Sequence, residues 1–402
     1  MRVLVVNLYY PPDAAASAYL LGELTEDLAR HHEIHVVAGR PSYDPDTATY
    51  RPTGVEVTRV TTTAFSRVGI PGRLANYASF AVMATVRACL VPRPDVVVTM
   101  TDPPIAGVIG MIAAARHRLP FVQICHDVYP DIAVTLGKMR GRRATRLWRT
   151  MNGVVSRRAQ RLVVVGRDMA EKLGREGVEA AKLAYIPAWA NDQTLDEEEI
   201  ARTRRAQGWE DDFVVMHAGN MGLAQNLDVL VDAAERLRDH TDIRLLFLGD
   251  GAAKPRLVSE ARRRGLDNLV FLPYRPKDEA QALMSAADIH VVSLVPGLWG
   301  CATPSKVYGI MAAGRPYVAA VDAGSEPDRI ASELGCGVRT EAGDSAALAQ
   351  AILAMRSAPV EEMGRRARKG FEERFRRSVA TTATRELLED VVDSGDARVR
   401  TR

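Results

Sequence analysis

Apolar runs and amphipathic stretches alternate along most of the chain. "RVLVVNLYY" (2–10) is a continuous apolar run, the pattern of a strand buried on both faces of a parallel sheet. After a Pro-rich loop, "SAYLLGELTEDLARH" (17–31) repeats apolar residues at helical spacing, and "EIHVVAG" (33–39) returns to strand. The alternation continues through "VEVTRV", a helix near 73–90, "DVVVTM", a helix near 104–117, "FVQICHD", a helix near 142–158, "RLVVVG", a helix near 167–174 and "LAYIP". A second set opens at "DFVVMHAG" (212–219), with helices near 226–239, 254–264 and 278–286 set between "RLLFLGDG", "NLVFLPY" and "IHVVSLV". "PSKVYGIMAAGRP" (304–316), "PYVAAV" and "GCGVRT" complete it, ahead of C-terminal helices over 361–391.

Two such sets predict an α/β protein with two Rossmann-like parallel-sheet domains. The N-terminal domain spans 1–190 and the C-terminal one 213–375. Between them, 191–212 is rich in charge and reads as a linker with an exposed helix. A helix over 376–392 is expected to pack back toward the N-terminal domain, and "DSGDARVRTR" (393–402) to be a disordered tail. Open α/β sheets bind ligands outside the carboxyl ends of their strands. Two facing sheets therefore predict a cleft lined by loops 9–17, 101–104, 126–131, 218–225, 249–251, 273–277 and 322–326.

Composition narrows the class without deciding it. The 402 residues are 47% hydrophobic and 26% charged, ordinary globular values that by length suggest two domains. "MRVLVVNLYY" reads as a strand rather than a signal peptide, and the most apolar stretches are short or carry Arg, as buried helices do. The four Cys show no CxxC, which points to a reduced, cytoplasmic protein without structural zinc or disulfides. The net charge of +3 conceals an asymmetry: residues 1–190 hold 24 Lys/Arg against 16 Asp/Glu. The partner of that half is expected to be anionic.

Several stretches carry chemistry. "GKMRGRRATRLWRTMNGVVSRRAQR" (137–161) holds nine Lys/Arg and no acid, with apolar residues near helical spacing. It reads as a membrane-surface element or a clamp for a phosphorylated acceptor, through Arg142, Arg143, Arg146, Trp148 and Arg149, or else as a solvated helix face. No nucleic-acid motif accompanies the charge. "HAGNMGLAQN" and "FLGDGAAKPRL" are strand ends turning into helices through Gly, where backbone N–H groups can approach an anion. In "PSKVYGIMAAGRP", Lys306 opposes the helix dipole in the first turn, and Gly309 sits mid-helix at about 1 kcal/mol relative to Ala. The one Asp-x-Asp, "DPD" (44–46), lies in a Pro-rich loop and is a poor metal site.

In this order and spacing the chain resembles glycosyltransferase family 4 of the GT-B fold, over roughly 1–390. The matching segments are "YYPPDAAASAYLLGELTEDLARHHEIHVVAG", "DVVVTMTDPP", "CHDVYPD", "AGNMGLAQNLDVLVDAAERL", "LGDGAAKPRL", "NLVFLPYRPKDEAQALMSAAD" and "PSKVYGIMAAGRP". It is most similar to the branch containing the fucosaminyltransferases of surface-polysaccharide assembly. The resemblance implies retaining transfer from a nucleotide-diphosphate sugar, with no cofactor and no metal. It places the donor at Gly219, Asn220, Met221, Gly222, Gln225, Gly249, Asp250, Arg275, Pro304, Ser305, Lys306, Gly309 and Glu326. It places the acceptor at Asp13, Ala14, Ala15, Ser17 and Asp102, and sets His126 and Asp127 against the reacting sugar.

The chain departs from that family at specific places. The Glu-x₇-Glu pattern falls on Cys301 and Gly309, so both carboxylates are absent. Asn220 and Gln225 stand near positions where many relatives have Arg and Lys, which leaves more of the phosphate charge to Lys306 and Arg275. The expected activity is transfer to a lipid-linked glycan at the inner membrane face. The alternatives are a small soluble acceptor, a GT-B sugar-nucleotide epimerase, or a non-catalytic nucleotide-binding subunit.

Overall fold

The computed structural model describes residues 1–13, 15–41, 50–63, 65, 70–192 and 196–400. The chain divides into two compact units, Met1–Pro187 with Ala380–Arg402, and Ala188–Val379.

The first unit is built on strands β1 (Arg2–Asn7), β2 (Glu33–Ala38), β3 (Val55–Arg59), β4 (Val96–Met100), β5 (Phe121–Cys125), β6 (Arg161–Val164) and β7 (Leu183–Tyr185). Its helices are α1 (Ala16–Ala29), α2 (Ile70–Leu90), α3 (Ala106–His117), α4 (Asp131–Thr135), α5 (Arg142–Arg158) and α6 (Arg167–Arg175). All strands pair in parallel in the order β3-β2-β1-β4-β5-β6-β7, with Val3 opposite both Ile34 and Val96. β4 and β5 are buried at every position, the burial that continuous Val-rich runs require. One core joins Leu4, Val97, Phe121 and Leu162 of the sheet to Phe80 of α2, Ile109 of α3, Val155 of α5 and Met169 of α6.

The second unit has the order β10-β9-β8-β11-β12-β13, again all parallel. Its strands are β8 (Phe213–Ala218), β9 (Ile243–Leu248), β10 (Leu269–Leu272), β11 (Ile289–Ser293), β12 (Tyr317–Ala320) and β13 (Gly337–Thr340). The helices are α7 (Glu197–Gln207), α8 (Asp228–Arg236), α9 (Lys254–Arg264), α10 (Lys277–Ala286), α11 (Lys306–Ala312), α12 (Glu326–Leu334), α13 (Ser345–Arg356) and α14 (Val360–Arg374). In each sheet the strand order reverses once, between β1 and β4 and between β8 and β11. At such a point neighbouring loops diverge and leave a crevice at the carboxyl edge.

Two stretches differ from the sequence reading. Residues 196–212 form part of the second unit rather than a linker. Arg204 donates to the carbonyls of Ala286 (2.8 Å), Trp209 (2.7 Å) and Asp212 (2.7 Å), and Trp209 is buried against Val214 and Leu283. At the other end, α15 (Arg377–Arg400) runs through most of the expected tail, and from Ala380 it belongs to the first unit, where Glu389 meets His32 Nε2 at 3.0 Å. Once nucleated on packed residues such as Leu388 and Val391, a helix extends one residue at a time at little cost.

Candidate active site

In the second unit two glycine-bearing loops cross at the carboxyl edge of the sheet, beside the switch point. The loop after β8 and the loop after β9 bond backbone to backbone: Met221 N–H donates to Asp250 O (2.7 Å), and Ala253 N–H to Met221 O (2.9 Å). Met221 is fully buried and pins the crossing. Only glycine fits two of its positions. A Cβ on Gly249 (φ +133°) would sit inside contact distance of the Gly219 carbonyl oxygen, and one on Gly251 (φ +154°) would lie 2.6 Å from the Met221 carbonyl. Further along, Ser293 Oγ donates to the Gln225 carbonyl, while Gln225 Oε1 is buried without a partner. Asp250 is exposed and its carboxylate accepts from the Gly251 N–H at 2.7 Å.

Lys306, the first residue of α11, reaches this crossing. Its Nζ donates to Asn220 O at 3.2 Å, and a Cβ on Gly219 would stand 3.2 Å from its Cε. Burial pushes the ammonium down to about 8. His217, the penultimate residue of β8, is buried; burial first and the Lys306 charge second push it to about 3, so it is neutral. Lys254 was not anticipated. Its Nζ donates to the carbonyls of Gly249 (2.7 Å) and Leu272 (3.3 Å) and ties β9 to β10 below the crossing. Its signal was present in "GDGAAK", where a Lys opens a helix just past the glycines.

The remaining expected donor residues are not all brought there. Pro304 and Ser305 precede Lys306, and Ser305 is exposed as the α11 N-cap. Gly309 lies on the same helix face, and a Cβ there would meet only Met284 Cε at 3.6 Å. Cys301 is buried. Arg275 pairs instead with Glu279 at 3.7 Å. Glu326, the first residue of α12, is fully buried.

In the first unit the expected residues gather at the ends of β4 and β5. Ser17 Oγ donates to Asp102 Oδ2 at 2.9 Å. Thr101 Oγ1 accepts from the backbone N–H of His126 (3.0 Å) and of Asp127 (3.2 Å). Burial holds His126 near 4, hence neutral, and burial together with Asp102 raises Asp127 to about 7. Asp13 is buried, with its N–H on Tyr10 O, and Ala15 is the extended N-cap of α1. Ala14 and the "DPD" stretch lie outside the described residues. Beside Asp127 opens a cavity of 480 Å³ lined by Thr101, Gln123, Tyr129, Arg149 and Asn152. Two of the five α5 residues expected on an anionic surface are engaged here. Arg149 pairs with Asp131, and Trp148 stacks on Tyr129 at 6.3 Å. Arg142, Arg143 and Arg146 stand exposed.

Residues 16–189 match the Glycosyl transferase 4-like domain, and residues 212–357 match Glycosyl transferases group 1. The probable glycosyltransferase WbjE of Pseudomonas aeruginosa is 30% identical over 282 residues, 68% of each chain. The chain belongs to the GT-B glycosyltransferases. A second relative of this glycosyltransferase, the putative colanic acid biosynthesis glycosyl transferase WcaI of Escherichia coli, is 27% identical over 81% of this chain and 84% of its own. Among solved structures, Anabaena HepE in complex with UDP and glucose superposes with a TM-score of 0.74 at 20% identity, covering 97% of this chain and all of HepE. The sucrose-phosphate synthase of Thermosynechococcus elongatus gives 0.79 at 16% identity, over 98% and 100%. Those two likenesses show the fold. Among the described residues of the glycosyltransferase, no group of three or more His, Cys, Asp or Glu side chains could hold a metal ion, and no helix is long and apolar enough to cross a membrane.

Proposed function

We propose that this glycosyltransferase moves a sugar, with retention and without a metal, from a nucleotide-diphosphate donor to a lipid-linked glycan intermediate in polysaccharide assembly, in the branch that includes the fucosaminyltransferases. The observation that carries the donor half is the crossing of the two glycine loops beside Lys306. A diphosphate seated at that crossing would set its charge beside the Lys306 ammonium. HepE has been crystallised with UDP and with UDP-glucose, and WcaI is named for colanic acid biosynthesis; both support this reading.

The chemistry follows from the residues. As the anomeric carbon–phosphate oxygen bond breaks, Lys306 offsets the charge that develops on the leaving diphosphate. The acceptor oxygen forms its bond to the same face of the anomeric carbon, and its proton passes to the departing phosphate oxygen. Neutral His126 then orients the sugar rather than abstracting a proton. Asp13, Ala15, Ser17 and Asp102 serve the acceptor, and basic α5 serves its diphosphate or the inner membrane surface that carries it.

Calorimetry across UDP, GDP, dTDP and ADP identifies the base. Incubation of the matching sugar nucleotide with a polyprenyl-diphosphate-linked sugar should then yield a butanol-extractable product one sugar longer. Isomerisation of the sugar nucleotide with no acceptor present would instead establish an epimerase. Nucleotide binding without turnover of any donor would establish a non-catalytic subunit.

A further inference from the structure

Helices α2, α3 and α5 lie side by side on one face of the first sheet: α3 packs against α2 and against α5, and all three contribute to one core. They are 21, 12 and 17 residues long and carry nine arginines but no Asp or Glu, in a chain with 50 acidic residues among 402. Solvated helix faces elsewhere in this chain are built otherwise. Arg202 pairs with Glu198, Arg366 with Glu362 and Arg368 with Glu372, each at i,i+4.

The outward face of α2 is also apolar. Phe80, Ala84 and Ala88 point into the core, while Val82 (63% exposed), Met83, Val86 and Leu90 (71%) form a stripe on the opposite side. Ile112 of α3 continues it, and Leu147 of α5 stands 72% exposed among Arg142, Arg143 and Arg146. Neighbouring packed helices lie about 8–10 Å apart, so the stripe and the basic helix fall within one patch roughly 20 Å across.

We infer that the outer face of α2, α3 and α5 seats this glycosyltransferase on an anionic lipid bilayer. The α2 stripe enters the headgroup–acyl boundary, and the α5 arginines meet the lipid phosphates. Charge selects this occupant over a second copy of the chain. A two-fold interface would set one acid-free, arginine-bearing layer against another. The inference extends the lipid-linked acceptor proposed above by naming the surface involved, and its test requires neither donor nor acceptor.

The test is co-sedimentation of the full chain with phosphatidylcholine vesicles, with and without phosphatidylglycerol. Binding should require the anionic lipid and weaken at high salt. The Val82→Ser/Val86→Ser/Leu90→Ser variant should reduce partitioning by at least about tenfold, and Arg142→Glu/Arg146→Glu should abolish the dependence on anionic lipid. Leu90→Ser alone, with hydrogen exchange over 82–90 slowed by vesicles in the unmodified protein, serves if the triple variant does not fold. Equal binding by the α2 variants, no preference for anionic lipid, or a dimer in sedimentation that the α2 changes dissolve would each overturn the inference. Sugar transfer in detergent by a chain that ignores vesicles would overturn it and leave the proposed function standing. Vesicle binding by a chain that binds no nucleotide would do the reverse.

Discussion

Lys306→Met isolates the charge at the loop crossing. The ammonium titrates at about 8 instead of 10.5 because burial disfavours its charged form, a displacement worth about 3 kcal/mol. The side chain is only part-buried, and solvent screening lowers the usable figure to about 2 kcal/mol. A diphosphate against Nζ restores the ordinary titration and recovers that energy on binding. Removing the ammonium should therefore weaken a nucleoside diphosphate roughly 30-fold by calorimetry, while the matching nucleoside changes less than about twofold. The pH dependence carries the same sign. Affinity should be flat below about pH 7 and fall as Lys306 loses its proton through about 8. Stability moves the opposite way. Because the folded pKa lies below the unfolded one, the burial penalty is fully present below 8 and disappears by 10.5. Lys306→Met should thus melt higher than the unmodified protein at pH 7, with the gap closing above pH 8. Equal losses for nucleoside and diphosphate, or an affinity indifferent to pH from 7 to 9, would refute the diphosphate role.

Gly249→Ala forces a Cβ onto the Gly219 carbonyl at a positive φ and should lower stability by about 2–4 kcal/mol in urea unfolding, with loss of nucleotide binding; unchanged stability would show that the loops do not cross as described. Gly309→Ala meets only Met284 Cε and relieves a mid-helix glycine, so thermal melting should rise by about 2–4 °C with nucleotide affinity unaltered. Asp127, raised from 3.8 to about 7, lowers folding stability as pH rises across that interval, because the native state holds the extra proton. Asp127→Asn should therefore raise the melting temperature at pH 8 far more than at pH 4, and sugar transfer should fall at both.

The strands were legible because a doubly covered parallel sheet buries every residue, and β4, "VVVTM", could be little else. α5 was legible to its ends, since an acid-free amphipathic run between Gly141 and Ala159 has strong local period. What local pattern could not supply was partnership across the chain. Arg204 looks solvated among the charges of α7, and its burial depends on a carbonyl 82 residues away at Ala286. α13 carries its own signal in Asp344, which caps it by accepting from Ala346 and Ala347 N–H, whereas the burial of Glu326 at the start of α12 shows only in the packed structure. The α2 stripe was invisible for the same reason. Val82 and Val86 look like core until Phe80, Ala84 and Ala88 are seen to fill the inner face.

The candidate donor site was half legible in the sequence. Glycines at strand ends announce a phosphate loop, but the requirement at Gly249 comes from Gly219, 30 positions earlier, and only folding brings the two together. Gly309 is the opposite case. Nothing packs close enough to demand glycine, and its φ is not positive. A Cβ at that position is therefore not excluded by the fold. Lys306, three residues earlier on the same face, keeps its place at the loops. The two positions therefore separate the ends of the proposed donor: Lys306→Met should weaken diphosphate binding, whereas Gly309→Ala, whose Cβ meets only Met284 Cε, should leave it unchanged.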